Sequence, residues 1–431
     1  MKPLFIGVFP NFEKDDQLLI RKLLFANRTK DYRTDFAKEL KIFLKLLPTS
    51  NVYLLDSARS SFHLILRSLN ITPGSEVIVP SFTCVVIINP ILWNNLIPRY
   101  VDIDLTSFNT SVENLLANIT AKTKVILVQH TFGAVIDIEK LKTGLKKLER
   151  TDIILIEDLA HSLGGKYNNN SPDQLLGSAA DYAILTFGIE KMISTIRGGA
   201  IIANQKNILL ETDYLSLKEV NYRYLLKLIL NPIFWSIITP IYYLGVKKLS
   251  LGKLIVNIAH RIGFLGIAIN AEEYYGVKPT FLPVKLAHPL AKLGSTQLQK
   301  LTRFNDHRRQ IAKLYFDSIQ NTQFANNPEQ QFISQIFQKD LPHSFIRYPL
   351  VLKTFQQRTK LIELAKSHKI VLGDWYKTLL YTKLQYLSKL GYSLGLSPNA
   401  EEVAELIINL PTAINVTKEH VILINSLIAN L

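Results

Sequence analysis

Two short apolar runs that end beside charged residues constrain the fold of this chain more than any other feature. The run Ile153–Ile156 precedes the acidic pair Glu157 and Asp158, and the run Tyr182–Phe187 precedes Lys191. Apolar runs of this length without polar alternation are typical of strands buried on both faces of a parallel sheet. Ligands of such sheets bind beyond the carboxyl ends of the strands. The sequence therefore predicts that an acid and a lysine meet in one site.

A histidine and a pair of glycines accompany these charges. His161 follows Asp158 by three residues, and Gly198 and Gly199 follow Lys191. A simpler interpretation of the same spacing is that Asp158 caps a helix, as aspartates often do, and that Lys191 lies on the surface. The spacing alone leaves both interpretations open.

Strand-like and helical patterns alternate over much of the chain. The strand-like runs before residue 153 are Val52–Leu55, Val77–Pro80, Arg99–Asp104 and Val125–Val128. This alternation predicts an α/β fold with a doubly wound, mostly parallel sheet that helices cover on both faces. The glycine-rich dinucleotide motif does not follow the first strand and the P-loop motif is absent, so neither kind of nucleotide site is expected.

Changes in the pattern divide the chain into four predicted parts. Residues 1–50 are expected to form an N-terminal arm and a helix, and residues 51–205 a large domain. Residues 206–280 read as an apolar and basic helical insertion. In residues 281–431 strand-like and helical patterns alternate again, which predicts a smaller C-terminal α/β domain.

The composition indicates a folded chain with a basic surface. Of the 431 residues, 48% are hydrophobic and 20% are charged, which excludes a disordered protein. The formal net charge of +15 suits an anionic membrane surface or a phosphorylated substrate. No nucleic-acid partner and no metal are expected, since the sequence has no zinc-ligand spacing, RNA-binding aromatic motif or basic recognition helix.

The cysteine count and the N-terminal sequence bear on the compartment. Cys84 is the only cysteine, so no disulfide can form within the chain, which fits a reducing compartment. The first residues, MKPLFIGVFPNFEKDD, have too short an apolar part for a secretory signal and become acidic too early. We therefore expect a cytoplasmic protein that can lie at the inner face of the membrane.

The insertion contains a stretch that approaches the length of a membrane-spanning helix. Residues 225–245 read LLKLILNPIFWSIITPIYYLG, and Lys247 and Lys248 follow. Four residues within the stretch argue against a single spanning helix, namely Lys227, Asn231, Pro232 and Pro240. We expect residues 222–264 to form an interfacial helical hairpin on a membrane surface. A buried helical insertion and an oligomer interface are the alternatives.

The strand Val52–Leu55 leads into a turn that suits a phosphate. The turn reads DSARSS from residue 56 and opens an amphipathic helix. Free N–H groups and the dipole at a helix start favour an anion, and further donors are at hand in Ser57, Arg59, Ser60 and Ser61. The alternative is an ordinary serine N-cap beside a surface arginine.

The order of these motifs resembles that of the DegT/DnrJ/StrS family, the sugar aminotransferases that depend on pyridoxal 5'-phosphate (PLP) and share the aspartate aminotransferase fold (fold type I). The motifs that carry the resemblance are PGSEVIVPSFT (residues 73–83), VDID (101–104), IEDLAHSLGGKY (156–167), TFGIEK (186–191) with the two glycines, and SPNAEEVAELIINLP (397–411). They span nearly the whole chain. The resemblance implies that residues 51–205 form the PLP-binding domain and residues 281–431 the small domain.

The resemblance assigns three residues to the chemistry. Lys191 would bind PLP covalently and later shuttle a proton, for which its amine has to become neutral. Asp158 would pair with the pyridinium nitrogen and keep it protonated, so that the ring can accept electrons. His161 would lie beside the ring, near its phenolic oxygen.

Further residues are assigned to the rest of the cofactor by the same resemblance. Thr186 matches the family's phosphate-binding serine. Ser57, Ala58 and Arg59 match its phosphate turn, where Gly-Thr is usual. Cys84 stands where the family has an aromatic residue that stacks on the ring, and a cysteine cannot stack.

The activity implied is a ping-pong transfer of an amino group. An amino acid, with glutamate as the expected donor, would convert PLP into pyridoxamine phosphate (PMP), which would then aminate a keto sugar. The sugar is expected to be nucleotide-linked and to serve surface polysaccharide or glycoconjugate biosynthesis. The resemblance also implies a homodimer with shared active sites, although the family's partner-subunit segment Asn-x-Arg falls here near Pro283 and Lys285.

Two other functions stay open. The PMP-dependent sugar dehydratases of the family carry histidine in place of the lysine, so Lys191 argues against dehydration. The replaced residues Ala58, Cys84 and Pro283 leave room for a non-catalytic regulator or a membrane-associated scaffold with the same fold.

Overall fold

Among the residues that the structure describes, the strands form one large sheet and three two-stranded sheets. The computed structural model describes residues 3–25, 30–167, 174–246, 249–265, 269–341 and 343–431. The strands are β1 (Leu4–Phe5), β2 (Asn51–Leu55), β3 (Glu76–Pro80), β4 (Ile97–Val101), β5 (Thr123–Gln129), β6 (Ile154–Asp158), β7 (Tyr182–Thr186), β8 (Gly199–Ala203), β9 (Gly245–Val246), β10 (Leu249–Ser250), β11 (Arg347–Val351), β12 (Ile370–Val371) and β13 (Ile407–Pro411).

Helices follow most of the strands. They are α1 (Lys14–Leu23), α2 (Tyr32–Phe43), α3 (Ala58–Ser68), α4 (Val85–Trp93), α5 (Val112–Ala117), α6 (Ile138–Lys147), α7 (Ile208–Leu215), α8 (Tyr222–Ile241), α9 (Leu251–Arg261), α10 (His288–Leu298), α11 (Leu301–Ile319), α12 (Pro328–Gln338), α13 (Phe355–Ser367), α14 (Pro398–Leu406) and α15 (Lys418–Ala429). The basic pair Lys247 and Lys248 lies outside the described residues.

The large sheet has the strand order β2-β8-β7-β6-β5-β3-β4. Strand β8 runs antiparallel to both of its neighbours, β2 and β7, and the remaining pairs are parallel. The central strands are buried on both faces, which explains why they read as continuous apolar runs. The mostly parallel α/β sheet expected from the alternation is confirmed.

Strand register brings several polar residues to one edge of this sheet. Asp158 ends β6 and is paired in register with Gln129, which ends β5. Thr186 ends β7 and faces Gly199, the first residue of the antiparallel β8, and Gly199 also faces Leu55 at the end of β2. The ends of four strands and the start of the antiparallel one therefore meet on the same side.

The N-terminal residues are tied to the C-terminal part of the chain. Two helices, α1 and α2, precede β2, so α1 adds to the single helix expected there. Leu4 and Phe5 of β1 pair with Ile370 and Val371 of β12. Leu4 also belongs to a second hydrophobic core, separate from the one around the large sheet. Helices α11, α12, α13 and α15 form this second core around β11 and β13. The four-part domain division stays a prediction.

Helix α8 is continuous although it contains two prolines. It runs without interruption from Tyr222 to Ile241, through Pro232 and Pro240. A proline inside a helix removes one backbone hydrogen bond and destabilises it locally. The first half of α8 buries Leu225 and Leu228 in the large core, and this burial outweighs the local loss.

The helices α8 and α9 pack against each other through a small core of their own. Its buried members are Ile238, Val256, Ala259 and Leu265. Within the part of the chain that the structure describes, α8 is the one helix long and apolar enough to cross a membrane, and 33% of its most apolar window is buried inside the protein. Core helices of soluble proteins share this length and composition, so α8 alone does not establish a membrane span.

Replacement of Gly199 by alanine is expected to destabilise the protein. The added Cβ would lie 2.3 Å from the carbonyl carbon of Ser57 and 2.5 Å from the backbone nitrogen of Ala58. Strand β8 would have to move away from the start of α3, at a cost of about 1–3 kcal/mol. The midpoint of urea unfolding measures the loss. Gly188→Ala is the matched control, because its Cβ would meet its nearest atom at 3.6 Å. An equal loss in both variants would contradict the prediction.

Candidate active site

The edge where the strand ends meet opens into a cavity of about 390 Å³. Gln129, Asp158 and Thr186 line it from the ends of β5, β6 and β7, and Ser57 and Cys84 line it from the segments that follow β2 and β3. This is the edge at which parallel sheets of α/β proteins bind their ligands.

Seven of the eight residues predicted for the site line this cavity, namely Ser57, Ala58, Arg59, Cys84, Asp158, Thr186 and Lys191. The interpretation of Lys191 as an ordinary surface lysine is therefore wrong. The eighth residue, His161, is buried and contacts the ring of Trp375, which is itself part of the cavity wall.

Asp158 supplies a buried carboxylate at the cavity. Its side chain is 3% exposed, and Oδ1 accepts a hydrogen bond from the backbone N–H of Ala160 at 2.9 Å. Burial raises the pKa of this carboxyl group, while the Ala160 bond and the charge of Lys191 oppose the rise. A cationic group that donates to the carboxylate would stabilise its ionised form.

Lys191 reaches the cavity from the loop between β7 and β8. The loop is fixed from outside, since the carbonyl of Lys191 accepts a bond from Asn11 Nδ2 at 2.6 Å and that of Met192 accepts one from Arg308 at 2.8 Å. Burial lowers the pKa of the Lys191 ammonium group, although the Asp158 carboxylate acts in the opposite direction. The neutral amine, which is the nucleophilic form, is therefore more accessible than in an exposed lysine.

Trp375 forms an aromatic wall beside the lysine. The Nζ atom of Lys191 lies 4.2 Å from the centre of the Trp375 ring. The His161 ring stacks on Trp375 with 4.9 Å between centroids and 2° between planes. His161 Nδ1 accepts the backbone N–H of Phe132 at 3.2 Å, which leaves Nε2 to carry the proton and face the Tyr376 hydroxyl at 3.4 Å.

The electrostatics around His161 keep its ring neutral. Burial, together with the positive charges of Lys191 and Arg347, holds the pKa of His161 well below its usual value. A neutral ring beside the lysine does not compete with it for a negative partner. The role of His161 beside a cofactor ring stays a prediction.

Sequence reasoning missed the aromatic residues of this wall. Trp375, Tyr376 and Tyr381 line the cavity, and all three come from the segment that follows β12. This segment is held by β13, since the backbone N–H of Trp375 donates to Asn409 Oδ1 at 2.8 Å and Asn409 Nδ2 donates to the carbonyl of Trp375 at 2.8 Å. The one local signal is a tryptophan and a tyrosine that follow a short apolar run after Gly373 and Asp374, which does not reveal the contact with β13.

Two buried ion pairs lie where α3 begins at the cavity. Ser57 is the N-cap of α3, and its Oγ accepts a backbone N–H of the first turn at 3.4 Å. Arg59 pairs with Glu273, and Arg197 pairs with Asp56 at 2.9 Å. The serine cap is thus present, but Arg59 is buried and not on the surface. A helix start with two guanidinium groups suits an anion.

Glu157 does not share the site with its neighbour Asp158. Successive residues of a strand face opposite sides of the sheet. Glu157 accepts hydrogen bonds from the Tyr167 hydroxyl at 2.6 Å and from His130 Nε2 at 3.0 Å. Although burial opposes it, these bonds hold the pKa of Glu157 below its ordinary value. Glu157 is therefore an ionised structural group beneath the sheet edge.

The residues of the cavity fit PLP. Among the residues that the structure describes, no side chain donates a hydrogen bond to the buried Asp158, which a protonated ring nitrogen would do. Lys191 offers an amine of lowered pKa to the aldehyde. Ser57, Arg59 and Thr186 would hold the phosphate at the helix start. The volume lies in the usual range of small-molecule sites, roughly 300–1,000 Å³.

Comparison with known proteins assigns the chain to a family. A model described as the DegT/DnrJ/EryC1/StrS aminotransferase family matches residues 14–221 and 257–428. An uncharacterized protein of Methanocaldococcus jannaschii is 25% identical over 398 residues, which cover 91% of this chain and 89% of that protein. A GDP-perosamine synthase of Escherichia coli O157:H7 is 32% identical over 148 residues, which cover 34% of this chain and 39% of that protein.

A solved structure shows the same fold over the full length. Helicobacter pylori PseC, an aminotransferase involved in the biosynthesis of pseudoaminic acid, aligns with a TM-score of 0.71 over 100% of this chain and 99% of that chain, at 18% identity. The predicted fold type I, with its mostly parallel sheet, is confirmed by this likeness.

Lys191 is expected to react with PLP at a lower pH than exposed lysines do, because its lowered pKa leaves more of its amine neutral. The protein is incubated with PLP between about pH 6 and about pH 10 and reduced with borohydride, and the labelled peptides are quantified by mass spectrometry. Exposed lysines such as Lys366 provide the internal comparison. In Lys191→Arg the label at position 191 should vanish. A common pH midpoint for Lys191 and the exposed lysines would refute the expectation.

Proposed function

Since the chain belongs to the DegT/DnrJ/EryC1/StrS aminotransferase family, we propose that it moves the amino group of glutamate onto a keto sugar linked to a nucleotide. The protein is a PLP-dependent sugar aminotransferase, so its substrates are an amino donor and a keto-sugar acceptor. The observation that carries the proposal is the position of Lys191 and Asp158 at the strand ends of one cavity.

Each polar residue of the cavity has a proposed task. When bound, PLP takes up the donor's amino group and withdraws electrons from the carbon that loses a proton. Lys191 would hold the resting cofactor and then carry that proton, which requires the neutral amine that burial favours. Asp158 would keep the ring nitrogen protonated, and its lack of contact with bulk water strengthens this interaction. Trp375 would exclude water from the lysine.

Charge and relatives support a nucleotide-linked acceptor. The net charge of +15 favours the approach of a diphosphate. The relative from Escherichia coli O157:H7 is named for a GDP-linked sugar. Glutamate is the donor that the family resemblance implies.

Amino transfer is favoured over the two other functions considered. The dehydratases that the chain resembles carry histidine where this chain has Lys191. A scaffold that catalyses no reaction does not need a buried carboxylate next to a lysine whose pKa is lowered by burial. Both groups destabilise the folded protein.

We propose a cytoplasmic homodimer with shared active sites that lies at the inner face of the membrane. The support for membrane contact is a ridge on α9 and its C-cap, made of the exposed side chains Leu251, Leu254, Ile258 and Ile262. Exposed Lys253 and Arg261 flank this ridge. An apolar helix face flanked by basic residues suits an anionic lipid surface.

Glutamate is expected to bleach the visible band of the PLP-loaded protein, and the right keto sugar to restore it. GDP-, UDP- and dTDP-linked keto hexoses form the acceptor panel, and mass spectrometry detects the amino sugar. Lys191→Ala should lose both the band and the transfer, and Asp158→Asn should slow the donor half-reaction about 10²- to 10⁴-fold. Thr186→Ser, which restores the family's usual residue, serves as the control that keeps activity.

The outcomes separate the competing functions. Wild type that takes up no PLP would refute the assignment of the cavity. Uptake of PLP without a response to glutamate would refute the donor. A product that has lost water without gaining nitrogen would indicate a dehydratase.

Wild type is expected to float with vesicles that contain phosphatidylglycerol and to do so less at high salt. The double variant Leu254→Ser with Ile258→Ser removes the centre of the ridge and should reduce flotation. Ile422→Ser on α15 changes an apolar residue that is 60% exposed, outside the ridge, and is the matched control. If the double variant floats like wild type, as the Ile422→Ser control should, α9 does not contact the membrane.

A further inference from the structure

Helix α8 contributes one face to the wall of the active-site cavity. Tyr224, Leu228 and Asn231 line the cavity, and their spacing of four and three residues places them on one side of the helix. The apolar side chains of Val86, Ile87 and Ile269 line it as well. The insertion that sets α8 apart in the sequence thus ends up in contact with the site.

Asn231 carries the one amide group on this face of α8. Its side chain is 4% exposed, and its Oδ1 atom is buried without a hydrogen-bond partner. A buried carbonyl oxygen that forms no hydrogen bond destabilises the folded state. Within the described ranges, Asn231 is the one residue that combines such an unpartnered atom with a place in the cavity wall.

The chemistry of the unpartnered atom selects among the molecules that enter the cavity. An amide oxygen accepts hydrogen bonds and needs a donor. The carboxylates of glutamate and the phosphate of PLP are acceptors, and the amino group of glutamate is consumed in the reaction. The acceptor substrate carries several hydroxyl groups, which donate.

The neighbours of Asn231 fit the same substrate. Small-molecule sites combine apolar walls with a few polar groups that fix orientation. Leu228 and Ile269 offer such a wall to the carbon skeleton of a sugar, and Asn231 adds an amide oxygen. A site built in this way rejects analogues that lack the matching hydroxyl.

We propose that α8 forms the acceptor subsite and that Asn231 is its specificity-determining residue, accepting a hydrogen bond from a hydroxyl group of the sugar nucleotide. This inference rests on the proposed function, because it presupposes two half-reactions in one cavity. The ping-pong scheme allows the two substrates to be tested apart.

The test compares PLP-loaded wild type with Asn231→Leu, which replaces the amide by an apolar group of similar size. The donor half-reaction is followed as bleaching by glutamate. The acceptor half-reaction is followed as recovery of the band with the keto sugar of the panel that wild type aminates fastest. We expect a decrease of about 10- to 100-fold in kcat/KM for the acceptor and a change within about twofold for glutamate.

Substrate analogues and a control variant distinguish binding from structure. Deoxy analogues of the same keto sugar are tested, each without one hydroxyl. For one of these analogues, kcat/KM should fall in wild type by the same factor as the Asn231→Leu substitution causes, and should not fall further in Asn231→Leu. Asn425→Leu on α15 removes another unpartnered Oδ1 that does not line the cavity, and should leave both half-reactions unchanged.

Three results would overturn the inference. Equal acceptor kinetics in wild type and Asn231→Leu would refute it while leaving the proposed function intact. An equal loss in both half-reactions would indicate damage to the cofactor site. If wild type aminates no member of the panel, the proposed function fails and the inference fails with it.

Discussion

The site depends on two opposite charges, the buried Asp158 and the half-buried Lys191, at the edge of one sheet. Neither charge is favourable there by itself, because removing an ion from water costs more free energy than most single contacts contribute. The cost is visible in both groups, since burial raises the pKa of the acid and lowers that of the amine. The rest of the fold has to hold them in place against that cost.

The antiparallel strand β8 explains how one sheet edge could hold both ends of an elongated cofactor. The loop that carries Lys191 leads into β8, and β8 runs antiparallel to β2, which Asp56 and Ser57 directly follow. Gly199 lets the two backbones approach at this point. As a result, the lysine and the helix start of α3 become neighbours although about 130 residues separate them in the chain.

Local patterns in the sequence predict the parts of the site that strands deliver. Asp158, Thr186 and Cys84 follow or end apolar runs, and parallel strands bring such ends together, so their common cavity follows from the pattern. Trp375 is held by hydrogen bonds to Asn409 of β13, and no periodicity reports a contact between segments 34 residues apart in the chain. The sequence does not show that α8 continues through Pro232, because burial of its apolar face overrides the local preference of proline.

The pairing of β1 with β12 has a consequence for the order in which the site is completed during synthesis. The first strand leaves the ribosome at the outset, while its partner, and the tryptophan and tyrosines that follow it, lie in the last fifth of the chain. Until that part emerges, the strand ends with Asp158 and Lys191 lack their aromatic wall. The cofactor site is thus finished late, and a chain cut short near its C-terminus would carry every residue that touches the strand ends and still present an open site.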